Sequence, residues 1–252
     1  MSGRLTVVGL GPGPAAWVTP AVSAALEEAE DLLGYEAYLA RVPMQTGQMR
    51  HISDNREELA RARAALELAA AGRRVVVVSG GDPGVFAMAS AVCEAIDHGP
   101  EAWRRLDVRV EPGVTAMLAA AARVGAPLGA DFAVLSLSDN LKPWDVVLAR
   151  LRLVAEAGLV IALYNPASRS RPHQIAEALG ELRRLRGPQT PSILAVAVGR
   201  PDEHITVTTL ASVDPAQIDM RTLVIVGASC TRLIDRPGLP PLVYSERFVR
   251  AA

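Results

Sequence analysis

Two valine-rich runs, Leu5-Thr-Val-Val8 and Arg74-Val-Val-Val-Val78, each pass directly into a glycine-rich turn, and alanine-rich stretches with helical spacing separate them. A β-branched run that ends in glycine and leads into a helix is the unit of a βαβ crossover. Its repetition predicts parallel strands with ligand-facing loops at their carboxyl ends. In the first half the spacing predicts strands at 5–8, 74–78 and 107–110, a further extended segment at 31–38, and helices at 20–30, 54–72, 84–96 and 114–123. Asp54 and Glu57 stand at capping-box spacing.

The cluster Gly125-Ala-Pro-Leu-Gly129 stops both periodicities and divides the 252 residues almost evenly. Two α/β domains are therefore expected, 1–124 and 125–252, with mixed, mainly parallel sheets. Beyond the cluster, strands are expected at 132–137, 159–164, 193–198 and 223–226, and helices at 143–157 and 171–185. The run His204-Ile-Thr-Val-Thr-Thr209 alternates, as a half-exposed antiparallel strand does.

Composition excludes several function classes. Half the residues are apolar and the net charge is −1, so no field of one sign draws the molecule to nucleic acid or to a membrane surface, and any anion site must be local. Lys142 is the one lysine among 26 basic residues, so such a site would use guanidinium groups. No apolar window reaches the roughly 18 residues of a membrane span. Cys93 and Cys230 are far apart and no secretory pattern precedes them, so a reduced, cytoplasmic setting is expected. His51, His98, His173 and His204 are isolated, so no metal site is expected, and no Gly-x-Ser-x-Gly elbow is present. Aromatic residues make up 4%, too few for a base-stacking stripe.

Five strand-end loops carry the candidate chemistry. Gly9-Leu-Gly11-Pro-Gly13 invites a dinucleotide reading, but Pro12 removes an N–H from the loop and no acid is expected at the end of the next strand, since Asp31 precedes it. The run fits a plain turn equally well. Ser79-Gly-Gly-Asp-Pro-Gly84 lets a backbone approach a ligand closely, although a strand-to-helix turn capped by Asp82 accounts for the same residues. Glu111-Pro-Gly113-Val-Thr115-Ala116 opens a helix of small side chains. Ser138-Asp-Asn140 follows the first strand of the second half, and Tyr164-Asn-Pro-Ala-Ser-Arg-Ser-Arg171 the second. There Arg169 and Arg171 offer a carboxylate clamp, with a solvated turn as the alternative.

In this order, Val8-Gly-Leu-Gly-Pro-Gly13, Gly80-Gly-Asp-Pro-Gly84, Pro112-Gly-Val-Thr-Ala116 and Thr222-Leu-Val-Ile-Val-Gly227 resemble the tetrapyrrole (corrin/porphyrin) methylases over nearly the whole chain. Gly34-Tyr-Glu-Ala-Tyr-Leu39, the stretch from Leu137 to Trp144, the Tyr164–Arg171 loop and Val198-Gly-Arg-Pro-Asp-Glu203 narrow the resemblance to members of the cobalamin pathway in which methyl transfer is linked to ring contraction. The resemblance implies two α/β domains with S-adenosylmethionine in the cleft between them, leaving S-adenosylhomocysteine as product. It places the cofactor against Pro12, Gly80, Gly81, Asp82, Val85, Phe86, Thr115, Ala116, Tyr164, Gly199, Arg200, Thr222 and Leu223. It places a carboxylate-rich tetrapyrrole against Gly11, Tyr35, Ser138, Asn140, Arg169 and Arg171; among the acids and bases near the implied cleft, Asp82, Asp139, Tyr35 and Glu111, Asp139 is the candidate general acid/base because its strand-end loop should face that cleft. It also implies a homodimer and hand-over to neighbouring pathway enzymes. A methylase of another macrocycle carbon, one acting on a cobalt-containing substrate, and a nucleotide-dependent oxidoreductase remain as alternatives.

Overall fold

The computed structural model describes residues 3–54, 57–168 and 171–248. The chain separates into two compact units, Met1–Thr115 and Ala116–Ala252.

The first unit is a five-stranded sheet built from β1 (Arg4–Gly9), β2 (Asp31–Tyr35), β3 (Met49–Ser53), β4 (Arg74–Ser79) and β5 (Asp107–Glu111) in the order β3-β2-β4-β1-β5. Every pairing in it is parallel. Helices α1 (Pro20–Glu28), α2 (Glu36–Leu39), α3 (Glu58–Ala70) and α4 (Met88–Asp97) connect the strands. The period of two along β4 explains its unbroken valines. Val75 and Val77 enter a core with Leu66 and Val92 of α3 and α4, while Val76 and Val78 enter a separate core with Val22, Leu26 and Leu39 of α1 and α2. Thr19 caps α1 by accepting from the Val22 amide at 3.2 Å. Helix α3 starts four residues after Asp54, and of the expected capping box only the return bond forms, Asp54 N–H donating to Glu57 Oε2 at 3.0 Å.

At the opposite end of the sheet from the glycine-rich loops, Asp31 is buried and accepts hydrogen bonds from Arg73 and, at 2.8 Å, from His51. Burial pushes its carboxyl up, but the bonds from Arg73 and His51 outweigh that and hold it below its ordinary value.

The second unit contains α5 (Ala116–Val124), β6 (Gly125–Ala126), β7 (Phe132–Ser136), α6 (Trp144–Glu156), β8 (Val160–Tyr164), α7 (Gln174–Arg186), β9 (Pro191–Val196), β10 (His204–Thr209), β11 (Thr222–Val226), β12 (Thr231–Arg236) and β13 (Leu239–Ser245). Its main sheet runs β10-β9-β11-β8-β7. Only β7 and β8 pair in parallel there; the other three pairings are antiparallel, so this sheet is mixed but not mainly parallel. The alternating strand β10 lies at its edge, antiparallel to β9, as expected. Leu151 of α6 and Leu179 and Leu182 of α7 bury against Ile161, Leu163 and Val224.

A small sheet of β12, β13 and β6 completes the unit. The division falls at Thr115/Ala116, earlier than the glycine and proline cluster suggests. Gly125 and Ala126, read as a hinge, pair with Val243 and Tyr244, and α5 packs on β6, β11 and β13. The helix therefore belongs with the second unit.

Candidate functional site

The parallel sheet brings the carboxyl ends of β4, β1 and β5 side by side, and three glycines let their loops touch. Gly11 N–H donates to Gly81 O at 3.0 Å, and Leu10 N–H to Ser79 O at 3.0 Å. A Cβ on Gly9 would stand 2.5 Å from Gly81 O, and one on Gly113 would stand 2.4 Å from the same atom. These glycines are required by close backbone approach. Gly11 and Gly81 are required by conformation, with φ of +65° and +63°, and a Cβ there would meet no atom nearer than 3.6 Å and 4.0 Å respectively. Gly11 is buried with Trp17 and Val114 in van der Waals reach of that position, whereas Gly81 is half-buried and more open.

Asp82 does not cap the following helix, which starts at Met88 without a side-chain cap. Its carboxylate accepts from Gly84 N–H at 2.8 Å and from Gly113 N–H at 3.1 Å, tying the β4 loop to the β5 loop. Val85 and Phe86 follow. Phe86 is 47% exposed with φ of 52°, a conformation that side chains rarely adopt. Thr115 is buried at the end of the β5 loop. Tyr35 ends β2 and packs edge-to-face on Tyr38, with ring centroids 5.5 Å apart.

An acid does follow β2, contrary to expectation: Glu36 is the first residue of α2. It cannot serve the glycine loop as a dinucleotide site requires, because the neighbours of β1 are β4 and β5, and β2 lies one strand further out.

In the second unit, antiparallel pairing still gathers the expected residues at one sheet edge. The register of β8 with β11 and of β11 with β9 sets Thr222 beside the end of β8 and opposite Val196. Tyr164, Gly199, Arg200, Thr222 and Leu223 are thus neighbours of that edge, with Ser138, Asp139 and Asn140 in the loop after β7. The Tyr164 hydroxyl accepts from Met117 N–H at 2.9 Å, fixing its ring against the start of α5 beside Ala116. Leu223 is buried, and the Thr222 hydroxyl bonds Asp219, so neither side chain is open to a ligand. Arg200 is exposed, and Gly199 has φ of +77°.

Asn165 (φ 50°) and Ala197 (φ 49°) share with Phe86 the left-handed backbone, and among the described residues no other non-glycine has it. Asn165 and Ala197 directly follow β8 and β9, and Phe86 lies in the loop between β4 and α4.

Arg171 departs from its expected role. It is 6% exposed, donates to Leu137 O at 3.0 Å and Asn165 O at 3.3 Å, and lies 3.4 Å from Asp139 Oδ1. Its guanidinium braces the β7 and β8 loops and does not extend to an external carboxylate. Asp139 is held by it and by Gln174, whose amide donates at 3.2 Å. Ser138 N–H and the Asn165 amide both donate to Ser136 Oγ, at 3.3 Å and 3.0 Å. Arg169 lies outside the described residues.

Arg41, Tyr38, Ser136 and Asn165 were not identified from the sequence. A proline-broken loop signals that its carbonyls need a donor, but nothing in the spacing designates Arg41 as that donor. Among the described residues no cluster of His, Cys, Asp or Glu could hold a metal ion, and no helix is long and apolar enough to cross a membrane.

Glycine-rich loops gather at the carboxyl ends of the strands, the place where open α/β sheets bind ligands. Residues 4–214 match the tetrapyrrole (corrin/porphyrin) methylases, and the chain belongs to that family and is a methyltransferase of it. It is 55% identical to a precorrin-3B C(17)-methyltransferase of a Sinorhizobium species, over 100% of this chain and 99% of that one. It is 40% identical to a probable cobalt-factor III C(17)-methyltransferase of Salmonella typhimurium, over 96% of this chain and 99% of the other.

The crystal structure of the methyltransferase CobJ superposes with a TM-score of 0.93 at 51% identity, covering 97% of this chain and all of that one. A uroporphyrin-III C-methyltransferase of Thermus thermophilus, solved with S-adenosylhomocysteine, matches with a TM-score of 0.66 at 26% identity, covering 89% and 97% of the two chains. Methylases of this family use S-adenosylmethionine.

Proposed function

We propose that this chain transfers a methyl group from S-adenosylmethionine to carbon 17 of precorrin-3B, linked to ring contraction to precorrin-4, in cytoplasmic cobalamin biosynthesis. The observation that carries this reading is the 55% identity to the Sinorhizobium enzyme along the full length of both chains. A cobalt-containing substrate methylated at the same carbon is the second reading, favoured by the 40% identity to the Salmonella protein.

The residues present fit the cofactor. Glycine backbone at Gly80 and Gly81, with Pro12, Asp82, Val85, Phe86 and Thr115, offers the first unit's contacts. Ala116, Tyr164, Gly199, Arg200, Thr222 and Leu223 offer the second unit's, the last two through main-chain atoms. When bound, S-adenosylmethionine supplies an electrophilic methyl group on a sulfonium. The chain's own residues orient and desolvate. Transfer from sulfur to carbon is an in-line displacement, in which placement supplies much of the rate.

Tyr164, held at the start of α5 by the Met117 N–H, is suited to that task. Gly11, Tyr35, Ser138 and Asn140 take the macrocycle, and Arg169 and Arg200 its carboxylates. Asp139 handles the proton during contraction, its carboxylate aimed by Arg171 and Gln174. The family resemblance supports a homodimer that passes its product to the next enzyme.

Incubation of the purified protein and S-adenosylmethionine with precorrin-3B, and separately with its cobalt-containing counterpart, tests this by mass spectrometry and NMR. One methyl added at carbon 17 of the metal-free ring, with a contracted macrocycle, is the expected result. Turnover of the cobalt substrate alone would establish the second reading, and methylation at another carbon would end both. In the same assay Asp139→Asn should still bind S-adenosylhomocysteine but lose contracted product at least roughly a hundredfold; a normal yield would remove Asp139 from proton handling.

A further inference from the structure

The turn Leu10-Gly-Pro-Gly-Pro14 is rich in acceptors and short of donors. Pro12 and Pro14 carry no N–H, and the Gly11 N–H is engaged by Gly81 O. Arg41 meets the deficit from outside the loop. It donates through Nη1 to Gly11 O at 2.9 Å, and through Nη2 to Leu10 O at 3.0 Å and Gly13 O at 2.9 Å. Three carbonyls of one turn converge on one planar cation, which fixes the curvature of the turn as a single-donor side chain would not.

Arg41 is itself braced. Arg50 of β3 donates to Leu39 O at 2.8 Å, Val42 O at 2.9 Å and Pro43 O at 2.8 Å, the carbonyls that flank Arg41 in the chain. The same segment carries Tyr38, whose ring stands 2.8 Å from where a Cβ on Gly80 would be. One short stretch after β2 thus shapes both the β1 loop and the β4 loop.

We propose that Arg41, buttressed by Arg50, is a positioning residue for the S-adenosyl ligand, holding the β1 turn so that Pro12 stands in place for it. The inference rests on the methyltransferase reading. Arg41 touches neither ligand nor reacting atom in this scheme and acts through the carbonyls it gathers.

The test is calorimetric titration of S-adenosylhomocysteine into the full-length protein and into Arg41→Lys, Arg41→Ala and Arg50→Lys, with thermal melting of each. Lysine keeps the charge but loses the fork. Arg41→Lys is expected to bind about tenfold more weakly while melting within a few degrees of the parent, and Arg50→Lys about threefold more weakly. Millimolar guanidinium should restore part of the affinity to Arg41→Ala and none to Arg50→Lys measured as a control for general salt effects.

A merely structural role predicts the reverse pattern, a lowered melting temperature with unchanged affinity in the folded fraction, and that pattern would overturn the inference. So would parental affinity in Arg41→Lys and Arg41→Ala together. Failure of the folded parent to bind S-adenosylhomocysteine would instead overturn the methyltransferase reading, and the inference with it.

Discussion

Gly113→Ala is expected to abolish measurable S-adenosylhomocysteine binding and to destabilise the protein by about 3 kcal/mol, the upper range for forcing a methyl group into a packed interior. The new Cβ would lie 2.4 Å from Gly81 O and 2.5 Å from Gly9 O. Both neighbours are backbone, so no rotamer change relieves the clash. Either the end of β1 or the β4 loop must move, and the Asp82 bond to Gly113 N–H moves with it. A displacement of this kind separates the loops proposed to contact the ligand together, so affinity is lost beyond what instability explains.

Gly180→Ala is the control. Gly180 lies within α7, where a Cβ meets nothing within 4 Å, and the same added methyl should stabilise by roughly 0.5–1 kcal/mol through helix propensity. Urea denaturation of the two variants, with calorimetric titration, checks the contrast. Parental binding by Gly113→Ala would mean that the three loops do not form the ligand's cradle.

What was legible in the sequence follows from how each element is stabilised. Strands β1, β4, β8 and β11 are buried on both faces, and a central strand must be apolar throughout, so their β-branched runs announce them. Edge strand β3, Met-Arg-His-Ile-Ser, has one strand neighbour and half-exposed side chains, so no run marks it. The hairpin of β12 and β13 was hidden for a different reason. Pro237-Gly238 forms its turn, with Gly238 at φ of +72°, but Pro240 and Pro241 inside β13 read as breakers.

The candidate site divides in the same way. Glycine motifs at the strand ends are local in sequence, and the loops they predict are where the fold places them. The arginines are not local. Arg41 and Arg171 serve backbone carbonyls 30 and 34 residues away, Arg50 one 11 residues away, and a sequence rich in arginine does not distinguish one that faces a ligand from one that braces a loop. Arg171, one of the two clamp candidates, is buried.

Arg171→Ala is accordingly expected to act on stability before it acts on substrate. The truncation leaves the Leu137 and Asn165 carbonyls without their guanidinium donor and the Asp139 carboxylate without its cation, at a position 6% exposed. Removing one partner from a buried polar network typically costs 3–5 kcal/mol, because the remaining groups stay buried and unpaired. At the lower end of that range, a chain of this size should melt roughly 10 °C lower. A solvent-facing clamp predicts the opposite, an unchanged melting temperature with a raised KM for the tetrapyrrole, so calorimetric melting alone separates the two roles.

A cycle with Asp139→Asn sharpens the result. If the two side chains are coupled through their 3.4 Å contact, the double variant should be less destabilised than the sum of the singles by about 1 kcal/mol or more. Strict additivity would show that Arg171 stabilises the β7 and β8 loops through the carbonyls alone, and that Asp139 takes its orientation from Gln174.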